Sequence, residues 1–387
     1  MPASTAFFGQ RNAQAVLKHG VLARYAHYFA GRAGAATQGR VAFIDGYAGE
    51  GRYEDGSPGS PLLLASQATR AQMFGREVKL AFVEQDDARR LQLQRSLEEN
   101  DVQADQLLGG SLEVAVDGLI DRYERHAILL FVDPFGLAFG RPTLERILGR
   151  RTRQRPIDVL YHFSLSAVAR MGRAGVIEGP TSEQNAAQLD AALGEIDWRD
   201  DFEGAEDSGA PTRAAIAVAT RFGQSVGATA GLPSTGVSVR QRPGQLPKYM
   251  LMLFSADPKA HWDYADVAGK AHVDWLHHCD RTDYEANIQH QEESGLLPLF
   301  QEAEPDKDEI EQQIRRDALS YLTGHLTEIV RSQGSLRPID AVQGTYGDQL
   351  GLARATHVRA ALKELHRQGV IADDATGEFW TRTIQKA

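Results

Sequence analysis

Three acidic side chains each follow a short, mostly apolar segment in the N-terminal part of the chain: Asp45, Glu84 and Asp133. Apolar segments of this length are typical of strands that are buried on both faces of a sheet. In open α/β sheets the carboxyl ends of parallel strands share one edge, and ligands bind there. We therefore predict that the three carboxylates lie along one edge. There they would accept hydrogen bonds from ammonium, hydroxyl or amino groups.

A glycine-rich turn follows the first of these acids, in the order Asp45, Gly46, Gly49 and Gly51. Glycine allows backbone N–H groups to approach a ligand because no Cβ intervenes. A carboxylate beside such a turn suits S-adenosylmethionine (SAM), which carries a cationic methionine half and a ribose with two hydroxyl groups. We predict that these four residues bind SAM. Two glycines in a tight turn are common, so the hypothesis also depends on the segments that follow.

Glu84 occupies the place in which nucleotide-binding α/β folds carry an acid that binds ribose hydroxyls, about one βαβ unit after the glycine turn. We predict this role for Glu84. The alternative is a helix start, because Asp86 or Asp87 could cap the helix that follows. The two interpretations are compatible if Glu84 binds the ligand and Asp86 caps the helix.

Asp133 begins the sequence Asp-Pro-Phe-Gly. The carboxylate of Asp133 and the carbonyl of Pro134 can accept hydrogen bonds from an amino group, and the ring of Phe135 can stack on a flat ring. These three residues are our candidates for presenting a methyl acceptor. The alternative is an ordinary strand-to-loop turn, in which Asp-Pro is frequent.

The composition favours a globular enzyme of more than one domain. The chain has 387 residues, is 42% hydrophobic and 24% charged, and carries a net charge of −10. Because Cys279 is the only cysteine, disulfide frameworks, cysteine zinc sites and iron–sulfur sites are excluded. No signal peptide and no transmembrane segment is expected, so we predict a cytoplasmic protein without a membrane partner. The net charge argues against a protein that coats nucleic acid.

Strands alternate with helices through the first part of the chain, which predicts a doubly wound, mostly parallel α/β sheet. Among these elements we expect a helix with Ser60 as its N-cap, a strand over 157–163 and a helix over 261–271. The alternation is interrupted over about 170–235, which we interpret as a helical insertion. We predict a Rossmann-like domain over 1–300. Residues 1–10 are expected to be unstructured.

Residues 301–387 follow the pattern helix, helix, helix, hairpin, which predicts a C-terminal winged helix-turn-helix domain. The two short strands of the hairpin are expected over 370–372 and 378–384. In such a domain the third helix, here 356–368, can enter a major groove. Its basic candidates for binding nucleic acid are Arg354, Arg359, Lys363 and Arg367. Residues 307–387 contain 11 Lys and Arg against 11 Asp and Glu, so this domain has no net basic charge. Binding to nucleic acid and docking to a protein both remain open.

Several motifs together resemble those of the bacterial three-Cys-motif partner proteins, over roughly residues 15–280. The matching segments are Lys18-His19, 43–53, 59–61, 82–84 and 131–136. The resemblance implies a fold like that of class I SAM-dependent methyltransferases. It also implies a possible partner, a three-cysteine protein similar to radical-SAM-type proteins. The front half is similar to ribosomal RNA adenine methyltransferases as well.

The resemblance implies a place for Lys18 and His19 near the cofactor or the path of the substrate. One difference concerns the acceptor site, because adenine amino-methyltransferases have Asp-Pro-Pro-aromatic where this chain has Asp-Pro-Phe-Gly. Gly136 thus removes a second ring, which counts against methylation of a base amino group. We expect a methyltransferase that acts on a nucleic acid or nucleotide amino group.

Two other functions are compatible with the sequence. One is a catalytically silent SAM-binding partner of the three-cysteine protein. The other is a metal-dependent nuclease with Asp45, Glu84 and Asp133 as ligands, because carboxylates at adjacent strand ends can bind Mg²⁺. The glycine turn is not needed for that second chemistry, and we predict no metal site.

Overall fold

The computed structural model describes residues 13–177, 179, 181–204, 207, 209–294 and 303–387. Contacts between residues group the chain into two units. The first unit comprises residues 22–240 and 246–260 of the described chain, and the second comprises 13–21, 241–245 and 261–387. The predicted boundary at 300 and 301 and the predicted unstructured start lie outside the described residues. No described helix is both long and apolar enough to cross a membrane.

The first unit is built on a seven-stranded sheet. Its strands are β1 (Arg40–Asp45), β2 (Glu77–Glu84), β3 (Gln106–Gly109), β4 (Ala127–Val132), β5 (Ile157–Phe163), β6 (Ser234–Val239) and β7 (Tyr249–Phe254). Their spatial order is β3-β2-β1-β4-β5-β7-β6. The first five strands pair in parallel, and β7 pairs antiparallel with β5 and with β6. This mostly parallel sheet is consistent with the predicted Rossmann-like methyltransferase fold.

Helices alternate with these strands along the chain. They are α1 (Ala13–Ala36), α2 (Ser60–Met73), α3 (Asp87–Glu99), α4 (Leu112–Arg122), α5 (Arg141–Gly149), α6 (Leu165–Val176), α7 (Ser182–Leu193), α8 (Arg199–Phe202) and α9 (Ala210–Ala230). Helix α1 begins among residues of the second unit and continues into the first. The two predicted helix starts differ in outcome. Asp86 caps α3, because its carboxylate accepts the Arg89 N–H, whereas Gly59, rather than the predicted Ser60, is the N-cap of α2.

Side chains alternate between the two faces of the sheet, as expected for period-two strands. In β1, Ala42 and Ile44 join one buried core with residues of α4, α5, α6 and α9. On β5, Asp158 alternates with Ile157 and Val159 of that core and therefore points to the opposite face. Helix α1 lies on that opposite face, because Tyr25 of α1 donates a hydrogen bond to Asp158. The sheet is therefore covered by helices on both faces.

A buried polar cluster joins α1 to this sheet. The Tyr25 hydroxyl donates to Asp158 Oδ2 at 2.6 Å, and Arg32 Nη2 donates to the same oxygen at 2.8 Å. Arg32 Nε also pairs with Asp257 at 2.7 Å, just before helix α10 (Pro258–Ser294). Burial and the Asp158 carboxylate raise the pKa of Tyr25 well above its usual range, so the phenol stays a donor. The cluster satisfies a carboxylate that would otherwise be costly to bury.

The predicted helical insertion at 170–235 belongs to the body of the sheet. Buried residues of α6, α7, α8 and α9 belong to the same core as β5 and β7, including Met171, Leu189, Phe202 and Phe222. Strand β6 starts within this stretch and was missed by the sequence prediction. Its sequence Ser-Thr-Gly-Val-Ser-Val is half-buried with strict alternation, because β6 is the edge strand of the sheet.

The second unit contains the C-terminal helices and a small sheet. Its further elements are α11 (Lys307–Gln333), β8 (Ser335–Leu336), α12 (Val342–Tyr346), α13 (Ala355–Arg367) and β9 (Ile384–Gln385). Strands β8 and β9 pair antiparallel, and a bridge joins Ile371 to Lys386. The predicted strand over 378–384 is largely wrong, because Phe379–Thr381 form a 3-10 helix. The winged-helix assignment of this unit stays a prediction.

Helix α10 is longer than predicted. The sequence predicted a helix only over 261–271, whereas α10 extends over Pro258–Ser294. From His261 onward its residues group with the second unit. Trp262 and Ala265 of α10 share a core with Leu322 of α11 and Leu362 of α13. The Ala355 N–H at the start of α13 donates to Asp266 Oδ1 at 3.0 Å. The core of this unit therefore includes residues N-terminal to the predicted domain boundary.

We expect Asp158→Asn to destabilise the protein by about 3 kcal/mol, because removing one partner of a buried pair leaves the other without compensation. Asp158 is nearly fully buried in its pair with Arg32. The measurement is urea unfolding, monitored by circular dichroism. As a matched control, Glu124→Gln removes an exposed partner of Arg125 and should change the midpoint little. Equal midpoints for both variants would show that the buried cluster does not stabilise the fold.

Candidate active site

The three predicted carboxylates lie at the same edge of the sheet. Asp45 is the last residue of β1 and is aligned with Phe82 of β2 and Phe131 of β4. Glu84 and Asp133 each follow two residues beyond those aligned positions. The parallel register therefore confirms the predicted location of all three acids. Their roles toward a ligand stay predictions.

Asp45 is fully buried at this edge. The Tyr47 N–H donates to Asp45 Oδ1 at 3.1 Å, which folds the start of the turn back onto the strand. The Gly46 N–H donates to the carbonyl of Phe131 at 2.9 Å, which extends the pairing with β4 by one residue. The turn thus begins in a rigid position that the neighbouring strand sets.

The three predicted glycines meet different requirements. Gly49 has φ +63°, and a Cβ built there would meet open space. By contrast, a Cβ at Gly46 would lie 2.4 Å from a Leu112 methyl group, and one at Gly51 would lie 2.9 Å from Leu93. Gly46 therefore lies tightly against α4, and Gly51, which like Gly49 has a positive φ (+82°), lies tightly against α3. Gly49 is the glycine whose backbone borders open space, as a ligand-binding turn requires.

Glu84 lies at the edge of the sheet and also holds the glycine turn in place. Its Oε2 accepts the Gly49 N–H at 2.8 Å. Its Oε1 accepts the Asp86 N–H at 2.9 Å and two N–H groups of Arg89, from Nε at 3.0 Å and from Nη2 at 2.9 Å. One carboxylate therefore joins the glycine turn, the strand end and the first turn of α3.

Further acidic side chains lie near Glu50 in the glycine turn. Burial raises the pKa of the Glu50 carboxyl above its usual range, and neighbouring carboxylates including Glu84 add to that rise against the opposing Arg89 cation. Burial is the larger cause of the shift, and the carboxylates of Glu54, Glu84 and Asp86 lie close enough to contribute to it.

Pro134 and Phe135 follow Asp133 with different exposure. Pro134 is buried, whereas the Phe135 ring is 44% exposed. The Arg89 guanidinium carbon lies 5.7 Å from the centre of the Phe135 ring, within the range of a cation–π contact. Gly136 then turns the chain with φ +68°. Phe135 thus offers an apolar face beside the residue that pairs with Glu84.

His162 is a site residue that the sequence analysis did not select. It lies near the end of β5, and its Nδ1 is 2.5 Å from Asp133 Oδ1. The imidazole also packs edge-on against Tyr249 of β7, with ring centres 4.1 Å apart. Two adjacent strands therefore hold the imidazole next to the carboxylate that was predicted to bind the acceptor. The only signal in the sequence was its position near the end of a predicted strand.

Lys18 and His19 lie on α1, among the residues that group with the second unit. His19 is buried, and Lys18 is partly exposed. Both have polar or charged interactions within the protein. Their predicted role near the cofactor or the substrate stays a prediction.

The basic candidates around α13 are mostly engaged within the second unit. Arg354 forms an ion pair with Glu311, and Arg367 forms one with Glu364 at 2.5 Å. Arg359 donates to the Gly377 carbonyl at 2.9 Å and lies over the Phe379 ring. These partners reduce the positive charge that the helix offers to phosphates.

Among the residues that the structure describes, no group of three or more His, Cys, Asp or Glu side chains is arranged to hold a metal ion. The Arg89 guanidinium also pairs with Glu84, one of the three proposed ligands of the nuclease alternative. The geometry therefore gives no support to the metal-dependent nuclease hypothesis.

No family model matches this chain, and no curated protein matches it. Among solved structures, the methyltransferase domain of bacterial CtHen1-CN is similar at 11% identity with a TM-score of 0.29. That match covers 60% of this chain and 99% of the other. SMU.776, a proposed methyltransferase solved in complex with S-adenosylhomocysteine (SAH), is similar at 8% identity with a TM-score of 0.24. It covers 56% of this chain and 45% of the other. At these scores neither similarity establishes an activity, which leaves the geometry of the strand edge as the basis for function.

Proposed function

We propose that this protein is a SAM-dependent methyltransferase that acts on an amino group of a nucleic acid or nucleotide. The observation that carries the proposal is the convergence of Asp45, the Gly49 turn, Glu84 and Asp133 at one edge of a parallel sheet. Ligands of open α/β sheets bind at that edge.

The residues present fit SAM. Asp45 and the backbone of Gly49 would hold the cationic methionine end, because a buried carboxylate and a turn that borders open space lie side by side. Glu84 would accept the ribose hydroxyls. The surrounding carboxylates favour the positive charge of the ammonium and sulfonium groups. When bound, SAM supplies an electrophilic methyl group.

The acceptor side of the proposal rests on Asp133, Pro134 and Phe135. An amino group that donates hydrogen bonds to the Asp133 carboxylate and the Pro134 carbonyl would keep its lone pair directed at the methyl group. The exposed face of Phe135 offers a stacking surface for a flat ring. His162 Nδ1 beside Asp133 Oδ1 would restrict rotation of the carboxylate. Positioning of this kind can supply much of the acceleration of a displacement reaction.

We also propose the finer assignments as hypotheses. Membership of the three-Cys-motif partner family is supported by the motif resemblance alone. A partnership with a three-cysteine radical-SAM-like protein rests on the same resemblance. The winged-helix assignment is supported by α11, α12, α13 and the short pairing of β8 with β9. A cytoplasmic location is also a proposal.

We predict that Asp45→Ala abolishes binding of SAH, whereas Asp133→Ala changes it by no more than a few fold. The physical reason is that Asp45 would contact the cofactor and Asp133 the acceptor. Calorimetric titration of each purified variant with SAH measures both effects, and thermal unfolding checks that each variant folds. Loss of SAH binding in the folded Asp133 variant would mean that Asp133 is a cofactor residue instead.

We predict that the wild-type chain transfers labelled methyl groups from SAM to RNA or DNA, and that Asp133→Ala abolishes this transfer. The reason is that the acceptor loses its main hydrogen-bond partner while SAM binding is kept. The measurement is incorporation of tritium from methyl-labelled SAM into a panel of RNA, DNA and protein substrates. SAH binding without transfer to any substrate would favour the silent-partner alternative.

If α13 binds nucleic acid, Lys363→Ala should weaken binding similarly for all sequences and lower the salt slope by about 0.9, as expected for one lost phosphate contact. Lys363 is exposed on α13. Fluorescence anisotropy with a labelled duplex at several salt concentrations measures the slope. Arg316→Ala on α11 is the control. Wild-type protein that binds no duplex would favour a protein-docking role.

A further inference from the structure

Glu84 would bind ribose, and the hydrogen bonds that it already makes determine which of its oxygens can accept a ribose hydroxyl. A ribose presents two adjacent hydroxyl groups, and a carboxylate that binds both uses one acceptor position on each oxygen. Each carboxylate oxygen has about two such positions. On Oε2, one position is taken by the Gly49 N–H. A second position on that oxygen is compatible with one hydroxyl group.

The other oxygen is fully engaged. Oε1 accepts the Asp86 N–H and both Nε–H and Nη2–H of Arg89. Three donors on one oxygen leave no position for a second hydroxyl group. The Asp86 N–H is part of the backbone at the start of α3, so it stays in place. The two donors of Arg89 belong to a flexible side chain and are the ones that can be exchanged.

We propose that Arg89 closes the ribose subsite of the ligand-free protein and that cofactor binding displaces its guanidinium from Glu84. After the exchange, each oxygen of Glu84 keeps one backbone donor, from Gly49 or from Asp86, and accepts one ribose hydroxyl. The inference rests on the proposed function and adds a regulatory contact to the same site.

The surroundings of Arg89 permit this movement. Its backbone is fixed, because the Arg89 N–H donates to the Asp86 cap at 2.9 Å. Its side chain is 22% exposed, so the guanidinium borders solvent. The guanidinium already lies 5.7 Å from the centre of the Phe135 ring, and this contact does not depend on Glu84. The movement therefore requires rotation of one side chain and no change in the sheet.

The exchange has a direct consequence for affinity. Breaking the contact between Arg89 and Glu84 costs free energy that cofactor binding has to supply. Arg89→Met replaces arginine with an unbranched apolar side chain that has no hydrogen-bond donors, so the subsite is open before the cofactor binds. We expect SAH to bind this variant about ten-fold more tightly than wild type. Arg89→Lys keeps the positive charge but not the paired donors. Its affinity for SAH should lie between those of wild type and Arg89→Met.

The first test is calorimetric titration of the full chain with SAH for wild type, Arg89→Met and Arg89→Lys. Arg95→Met is the matched control, because Arg95 is an exposed cation on the same helix, and its affinity should equal that of wild type. Tighter binding by Arg89→Met alone supports the proposal. Binding that is weaker than or equal to wild type overturns it, since Arg89 would then assist the cofactor or be indifferent to it.

A second test needs no folded Arg89→Met variant. The Arg89 Nε–H of the wild-type protein, assigned by its absence in Arg89→Lys, should exchange slowly with solvent and change its nitrogen shift when SAH saturates the protein. An unchanged resonance at saturation overturns the proposal. If neither wild type nor Arg89→Met binds SAH, the proposed function fails and this inference fails with it. Wild type that binds without these effects contradicts only the role of Arg89.

Discussion

The parallel register of β1 between β2 and β4 is the constraint on which the candidate site depends. Residues 41–45 of β1 are all buried, because strands flank β1 on both edges and helices cover both faces. A shift of the register by one residue would move each side chain to the opposite face. The same register sets Asp45, Glu84 and Asp133 along one edge, so the core and the site are specified together.

Within that edge, Glu84 has both a structural and a proposed binding function. It joins the glycine turn to α3 through backbone donors, which makes the turn rigid without any ligand. Its pairing with Arg89 neutralises a carboxylate that is almost fully buried. A buried charge needs such compensation. A protein that uses the same carboxylate for a ligand must therefore exchange one partner for another.

The sequence prediction succeeded where local chemistry is strong and failed where tertiary context decides. Strand β5 was predicted with its observed bounds. Asp86 caps α3, as one of the two interpretations of the segment after β2 had predicted. Strand β6 was missed, because an edge strand rich in Ser, Thr and Gly lacks the apolar run of a central one. The strand predicted over 378–384 failed because Phe379 packs into the core of the second unit as part of a 3-10 helix.

The sequence by itself determined the alternating elements of the sheet, the acids at three strand ends and the glycine turn after the first of them. These features follow from the spacing of apolar residues and from turn chemistry, which are local. Only the tertiary structure decided which groups meet. His162 reaches Asp133 because β5 pairs with β4, and the hydrogen-bond partners of Glu84 follow from how the turn and α3 fold back onto β2. Such contacts depend on strand order and side-chain direction, and the spacing of residues along the chain determines neither.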